Sequence, residues 1–348
     1  MATLDIEHDV SLAPLTTLGL GGRARCFVRV STEQSLIEAL HWAEDRGFRS
    51  AILAGGSNVI VPDDGFDGLV IRVGIDDVEF CDGGTVHAGA GVAWERIVEG
   101  AVSRGWAGIE CLTGIPGSTG ATPIQNVGAY GQEVADVIDR VRVLRRATLE
   151  PEELAPADCH FSYRDSLFKR EPSHFVVTAV DLRLIPGASP SVRYPELQER
   201  VSSGASLQDV RRAVLELRRA KSMVIDPADP DSRSVGSFFL NPIVSSEEAD
   251  RIAGQALREG LIDDPMELPR HAAAHGGEKL AAGWLIEKAG IAKGMRRGAI
   301  GISTKHALAI VHYGGGTTAE LLCFADEIRD RVQQRFGITL EQEPRLLA

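Results

Sequence analysis

Apolar residues in the first third of the chain fall alternately at helical and at extended spacing. Leu36, Ile37, Leu40 and Ala43 recur on one helical face, which Ser31 opens as a capping box with Gln34 and Gly47 closes. The short apolar run 50–54 has the length and continuity of a buried strand, and it ends in Gly55-Gly56-Ser57-Asn58. Strands at 59–61 and 69–73 flank a turn at Pro62-Asp63-Asp64-Gly65. Between 76 and 91 the pattern breaks into short strands, with Asp82-Gly83-Gly84 as a hairpin turn. Trp94, Ile97, Val98, Ala101 and Val102 mark a helix that stops near Gly105.

Alternation returns at 134–146 and 175–184, so the middle of the chain is α+β with several strands. A proline-punctuated loop, 186–195, carries Tyr194. Ser206 then caps a helix with Leu207, Val210, Val214 and Leu217 on one face, and Arg211, Arg212, Arg218 and Arg219 read as its solvated side. The acidic, proline-rich turn 226–231 reads as a domain boundary. Beyond it a strand is expected at 237–240, helices from about 246 and over 279–289, and a strand at 307–311. A long last helix opens at the Thr317–Glu320 capping box, with Leu321, Phe324, Ile328 and Val332 facing inward.

Composition changes this picture little. The 348 residues suffice for two or three domains, and 44% apolar with 25% charged residues is ordinary for a globular protein. A formal charge of −12 argues against nucleic-acid or membrane-surface partners, which favour a basic face. Five scattered cysteines, with no C-x-x-C pair, read as free thiols, and no metal site is expected. With no leader-like segment or apolar span evident either, a cytoplasmic protein is expected.

Residues 114–131 stand out: five glycines, two prolines, hydroxyl and amide side chains, and no charge. Such a backbone can present its N–H groups to an anion. No Lys follows these glycines as a P-loop requires, and neither 19–22 nor 55–56 gives a dinucleotide fingerprint of Rossmann type. A pyrophosphate held by two separate loops, 55–58 and 114–131, remains, and FAD is the natural candidate. The plainer reading is a pair of tight turns.

Four ordered motifs then resemble a known family. They are Gly114–Gly131 followed by Gln132-Glu133; Tyr163-Arg164-Asp165-Ser166; Gly236-Ser237-Phe238-Phe239-Leu240-Asn241-Pro242; and Ala282-Gly283-Trp284-Leu285-Ile286-Glu287. Together they are similar to the UDP-N-acetylenolpyruvoylglucosamine reductases, flavoenzymes of peptidoglycan precursor synthesis. The likeness runs from Thr17-Leu18-Gly19 to Glu343-Pro344-Arg345, and Pro123-Ile124-Gln125-Asn126 together with the Tyr194 segment resembles the longer subtype.

The resemblance implies an α+β architecture: a two-part FAD-binding fold of the vanillyl-alcohol-oxidase type and a third α/β domain over the substrate. The implied division is 1–74 joined by 335–348, then 75–225, then 226–334. It implies NADPH as hydride donor, FAD as carrier, and the enolpyruvyl ether of UDP-N-acetylglucosamine as acceptor, in a monomeric enzyme. FAD would lie along Gly55, Gly56, Ser57 and Asn58 and along Gly114, Gly117, Ser118, Gly120, Ala121, Gln125, Asn126, Gly128, Ala129 and Tyr130. Tyr194, Lys221 and Asn241 match positions that hold the UDP-sugar.

The chemistry asks for positive charge at the substrate carboxylate and an acid at the adjacent carbon. Arg164 matches the family's catalytic arginine, Ser237 its proton donor and Glu343 its catalytic glutamate. Here the chain departs from the family, reading Glu343-Pro344-Arg345 where Glu-Val-Arg is usual; the proline puts local strand pairing in question, and Glu341 competes for the role. Two further readings stay open: a flavin oxidase on the same scaffold, and a protein that binds FAD or a nucleotide sugar without catalysis.

Overall fold

A computed structural model describes residues 4–273 and 276–347. Its first sheet runs in the order Glu7–Ser11, Arg23–Val30, Phe66–Val73, Arg49–Leu53; only the outer pair Glu7–Ser11 and Arg23–Val30 is antiparallel. Alternate residues face opposite sides. Cys26, Val28, Val30, Leu69, Ile71 and Val73 pack under the helix Glu33–Glu44, which buries Leu36, Ala39, Leu40 and Ala43. Phe27, Val70 and Leu53 face the other way, onto Leu12, Val61 and Leu347. The cap lies one residue later than the sequence pattern suggests: Thr32, not Ser31, accepts from the Ser35 amide at 3.0 Å, and Ser35 returns a bond to the Thr32 amide. Two adjacent hydroxyl residues compete for that position, and the register of the buried face decides.

The second sheet is antiparallel, in the order Glu150–Leu154, Ile138–Arg145, Phe175–Arg183, Thr85–Gly89, Val78–Cys81. The helix Trp94–Ser103 buries its apolar stripe into the same core. The helix Leu207–Ala220 starts at the Ser206–Asp209 capping box and seals a smaller cluster with Cys111 and Leu197. Its arginines split: Arg212 and Arg219 are exposed, whereas Arg211 and Arg218 are half-buried. The expected solvated face therefore holds only in part. Arg211 turns inward because Glu95, 2.6 Å away, meets it.

The third region holds two small antiparallel sheets, Ile243–Val244, Glu278–Leu280, Arg270–Ala272 and Arg296–Arg297, Ile300–Ile302, Ile310–His312. The helices Ser246–Arg258, Ala282–Lys288 and Thr318–Phe336 enclose its core, to which Leu18, Leu20 and Ile60 also contribute. Three expectations need correction. Residues 237–240 form no strand: Phe239 makes an isolated bridge to Gln342, and the backbone bonds around it divide between Leu308 on one side and Glu341 and Glu343 on the other. Lys279 belongs to a strand, and the helix begins at Ala282. The strand expected at 307–311 lies at Ile310–His312. Short apolar runs carry no period that separates strand from buried loop.

The chain end returns to the first sheet region. Glu343 donates its N–H to Phe238 O (2.9 Å), and Arg345–Leu346 runs parallel to Val59–Ile60. Pro344 stands where pairing passes from Phe238 to Asn58, whose carbonyl accepts from the Arg345 amide. No N–H is needed at that step, so the proline leaves the pairing intact.

Candidate functional site

Two glycine-bearing loops meet face to face. Ser57 Oγ donates to Pro116 O at 3.0 Å, and the Asn58 amide donates to Gln125 Oε1. A Cβ on Gly55 would lie 2.7 Å from Gly117 Cα, and one on Gly56, whose φ is +69°, only 1.9 Å from Leu15 O. Backbones this close admit only glycine. Beside them the hydroxyls of Ser118 and Thr17 are buried without a partner. Buried polar groups are nearly always satisfied, so these orphans mark a place for polar ligand atoms. The glycine-lined seam and its unsatisfied hydroxyls fit the phosphate portion of a dinucleotide such as FAD.

Not every residue expected along a cofactor is free to serve one. The Gly114 amide donates to Glu95, which also accepts from Thr113 Oγ1 at 2.8 Å. Gly120 is fully enclosed and packs on Ala90. The Asn126 side chain is spent internally: its amide donates to Glu133 (2.7 Å) and Ser162 O (3.1 Å), and its oxygen accepts from the Ala135 amide. Ala121, Gly128 and Ala129 remain partly exposed, Gly128 beside the Arg164 guanidinium.

A cleft of about 150 Å³ opens along this seam, and Arg164, Arg218, Ser237 and Glu343 line it with Ser57, Asn58, Gln125 and Gly128. Arg164 sits in a closed turn in which Ser162 and Asp165 exchange both backbone bonds (3.1 and 3.2 Å). Its φ of +53° is unusual for a non-glycine residue and places the strain at the cleft. The guanidinium donates to the carbonyls of Asn126 and Gly128 and stands 3.5 Å from Glu343 Oε1. Burial raises the Glu343 carboxyl pKa above its ordinary value, and the opposing pull of Arg164 and Lys169 does not cancel it. Ser237 precedes Phe238 and Phe239, both fully buried; Phe238 N donates to Leu308 O, and Phe238 O accepts from Glu343 N. The same short segment therefore ties Ser237 and Glu343 together.

A second cluster adjoins the cleft. Tyr130 and Tyr194 pack edge to face at 5.3 Å, and Lys221 lies 5.9 Å from the Tyr130 ring while pairing with Glu196. Tyr130, expected along the cofactor, thus stands with the residues expected to hold the sugar nucleotide, and burial pushes its phenol up to about 12. Asn241 stands apart from this cluster, on the Tyr163 side of the cleft, where its side-chain oxygen accepts the Ala282 amide at 2.9 Å and supports a helix start. Three contributors escaped the sequence. Arg218 has a buried Nε with no partner. Burial, followed by Lys221, Lys293 and Arg218, lowers the His306 imidazole pKa to about 4. Glu95 joins the 114 loop to Arg211. No spacing rule marks such residues; only tertiary contact does.

Known proteins resemble the chain along nearly its whole length. A family model described as "UDP-N-acetylenolpyruvoylglucosamine reductase, C-terminal domain" matches residues 227–347, and one described as "FAD binding domain" matches 24–148. The UDP-N-acetylenolpyruvoylglucosamine reductase of Thermobifida fusca is 44% identical over 98% of both chains. The Streptomyces coelicolor protein of that name is also 44% identical, over 97% of this chain and 89% of its own. Among solved structures, the reductase from Thermus caldophilus superposes with a TM-score of 0.68 at 25% identity, covering 99% of this chain and all of that one.

Proposed function

Because the chain belongs to the UDP-N-acetylenolpyruvoylglucosamine reductase family, we propose that Arg164, Ser237 and Glu343 carry its chemistry. The protein is an FAD-dependent oxidoreductase of peptidoglycan precursor synthesis that reduces the enolpyruvyl ether of UDP-N-acetylglucosamine with NADPH. Its fold is α+β, a two-part FAD-binding fold with a further substrate-binding domain. An oxidase of the same scaffold is disfavoured by the full-length match to reductases.

When bound, FAD supplies the hydride that passes from NADPH to the enolpyruvyl methylene carbon. The protein's task is to hold the carboxylate as it gains charge and to protonate the carbon beside it. Arg164 presents a planar fork suited to a carboxylate, and its three carbonyl and carboxylate partners fix its direction. Glu343, with its raised pKa, can stand as the neutral acid and donate to the carboxylate. Ser237 lines the cleft wall, which supports its reading as the donor of the proton to carbon. A serine hydroxyl is a weak acid, so it acts only against a developing carbanion with a relay behind it. Tyr194 and Lys221 would receive the sugar nucleotide, Lys221 as a mobile charge for the diphosphate.

We further divide the chain into 1–74 joined by 335–348, 75–225 and 226–334. The protein acts in this reading as a cytoplasmic monomer without nucleic-acid or membrane partners. Its charge of −12 and free thiols support that, and no helix among the described residues is long and apolar enough to cross a membrane. The observation that carries the catalytic assignment is the convergence of Arg164, Ser237 and Glu343 on one cleft.

An anaerobic two-step experiment tests it. NADPH should bleach the yellow protein, and the enolpyruvyl UDP-sugar should restore the colour. Ser237→Ala should bleach normally and recolour at least ~100-fold more slowly, in the range general-acid catalysis supplies. Recolouring of Ser237→Ala at the full rate would remove Ser237 from the mechanism.

A further inference from the structure

The turn that carries Arg164 is fastened at its base from its own domain. Asn126 donates to Ser162 O, Lys169 Nζ donates to Arg164 O at 2.7 Å, and Ser166 Oγ donates to Ile124 O at 2.6 Å. Its tip, Tyr163, is held from elsewhere. Lys279, on the strand Glu278–Leu280 of the third region, places its ammonium 4.5 Å from the Tyr163 ring centroid. The Arg164 guanidinium lies against the same ring at 5.4 Å. Asn241, from the segment that carries Ser237, lies near the Tyr163 phenol and partly offsets the rise that burial gives its pKa. Both Tyr163 and Lys279 are half-buried.

A solvated lysine has no reason to remain there. Leaving water and approaching Arg164 both disfavour its charge, and Glu133 offsets this only in part. The face of an aromatic ring compensates a cation most where water is excluded. The ring thus lets two like charges share one small volume. The cost of a left-handed Arg164 persists only where its surroundings over-determine the conformation, and the tip contact completes that set.

We infer that Lys279 is a positioning residue. Its ammonium, seated on the Tyr163 ring, fixes the tip of the turn from which Arg164 reaches the cleft, so that docking of the third region and the aim of Arg164 are one event. This rests on Arg164 being the carboxylate-holding residue. Lys279 itself touches neither substrate nor reacting atoms in this scheme.

The test separates the two half-reactions in the FAD-loaded protein. Lys279→Met should keep its flavin and bleach with NADPH within twofold of the parent rate. Its recolouring by the enolpyruvyl UDP-sugar should fall tenfold or more in kcat with KM changed less than threefold. Lys279→Arg, which keeps a cation on the ring, should recover to within threefold. Tyr163→Phe should behave as Lys279→Arg, and Tyr163→Leu as Lys279→Met. The double variant Lys279→Met/Tyr163→Leu should be no slower than either single variant. Calorimetric binding of the UDP-sugar to the oxidised protein should change less than threefold throughout. Parent-rate recolouring by Lys279→Met, or strictly additive losses in the double variant, would overturn the latch. Arg164→Lys is the control. If it recolours at the parent rate the catalytic assignment itself falls, whereas a slow Arg164→Lys beside a fast Lys279→Met removes the latch alone. Should Lys279→Met fail to fold, the Tyr163→Leu and Tyr163→Phe pair decides the question by the same readouts.

Discussion

Glu343 combines a buried carboxyl with two cations, and burial wins. A carboxyl whose pKa is raised on folding favours the folded state in its neutral form. That contribution is complete below the unfolded value of 4.5 and is lost as pH rises through the higher folded value. Glu343→Gln removes the titration while keeping size and a donor. The melting temperature of the Gln variant relative to the parent should therefore climb as pH is raised from 4.5 toward neutrality. Melting curves that stay parallel over that range would mean that Glu343 remains charged in the folded protein. For the same reason the parent's recolouring rate should fall across the folded pKa, and the variant's should stay flat.

Among elements, the loop 55–58 shows how close backbones form the seam proposed to hold the cofactor. Gly56 has φ +69° and no room for a methyl, with Leu15 O 1.9 Å from an added Cβ. Gly47 has nearly the same φ, +65°, but nothing within 4 Å. Gly47→Ala should cost about 1 kcal/mol, the strain of a left-handed residue alone. Gly56→Ala should cost about 3 kcal/mol, with the clash added, and should lose flavin. Urea midpoints and the flavin-to-protein absorbance ratio check both. Equal midpoints for the two variants would show that the loop can move away from Leu15 freely, against its proposed role as a rigid cradle.

In the whole molecule residues 341–347 join distant parts. Leu347 is buried against Phe27, Val70 and Leu12 of the first sheet region, Arg345–Leu346 pairs with Val59–Ile60, and Glu343 reaches the cleft. Leu347→Ala should cost about 2–4 kcal/mol, as buried leucine truncations do, without removing the cleft residues. Deletion of 341–348 should cost more and abolish recolouring altogether. A deletion variant that recolours would exclude Glu343 from the chemistry.

Much of this was legible in the chain. Long periodic segments declared themselves: Leu207–Ala220 and Thr318–Phe336 start at the capping boxes read from Ser206 and Thr317 and bury the faces their spacing marks. Local hydrogen bonding and a 3.6-residue period are properties of neighbouring residues, so sequence alone determines them. The ordered motifs around Gly114–Gly131, Arg164, Ser237 and Glu343 likewise fixed the family. Tertiary structure alone decided the rest. It made 237–240 an irregular segment, because its partners Leu308 and 341–343 lie far along the chain. It drew Arg211 and Arg218 inward from a face that looked solvated, committed Asn126 to its own neighbours, and set Lys279 on Tyr163. Those outcomes depend on which groups share a small volume after folding. Burial and the balance of charge in that volume have no counterpart in the order of residues.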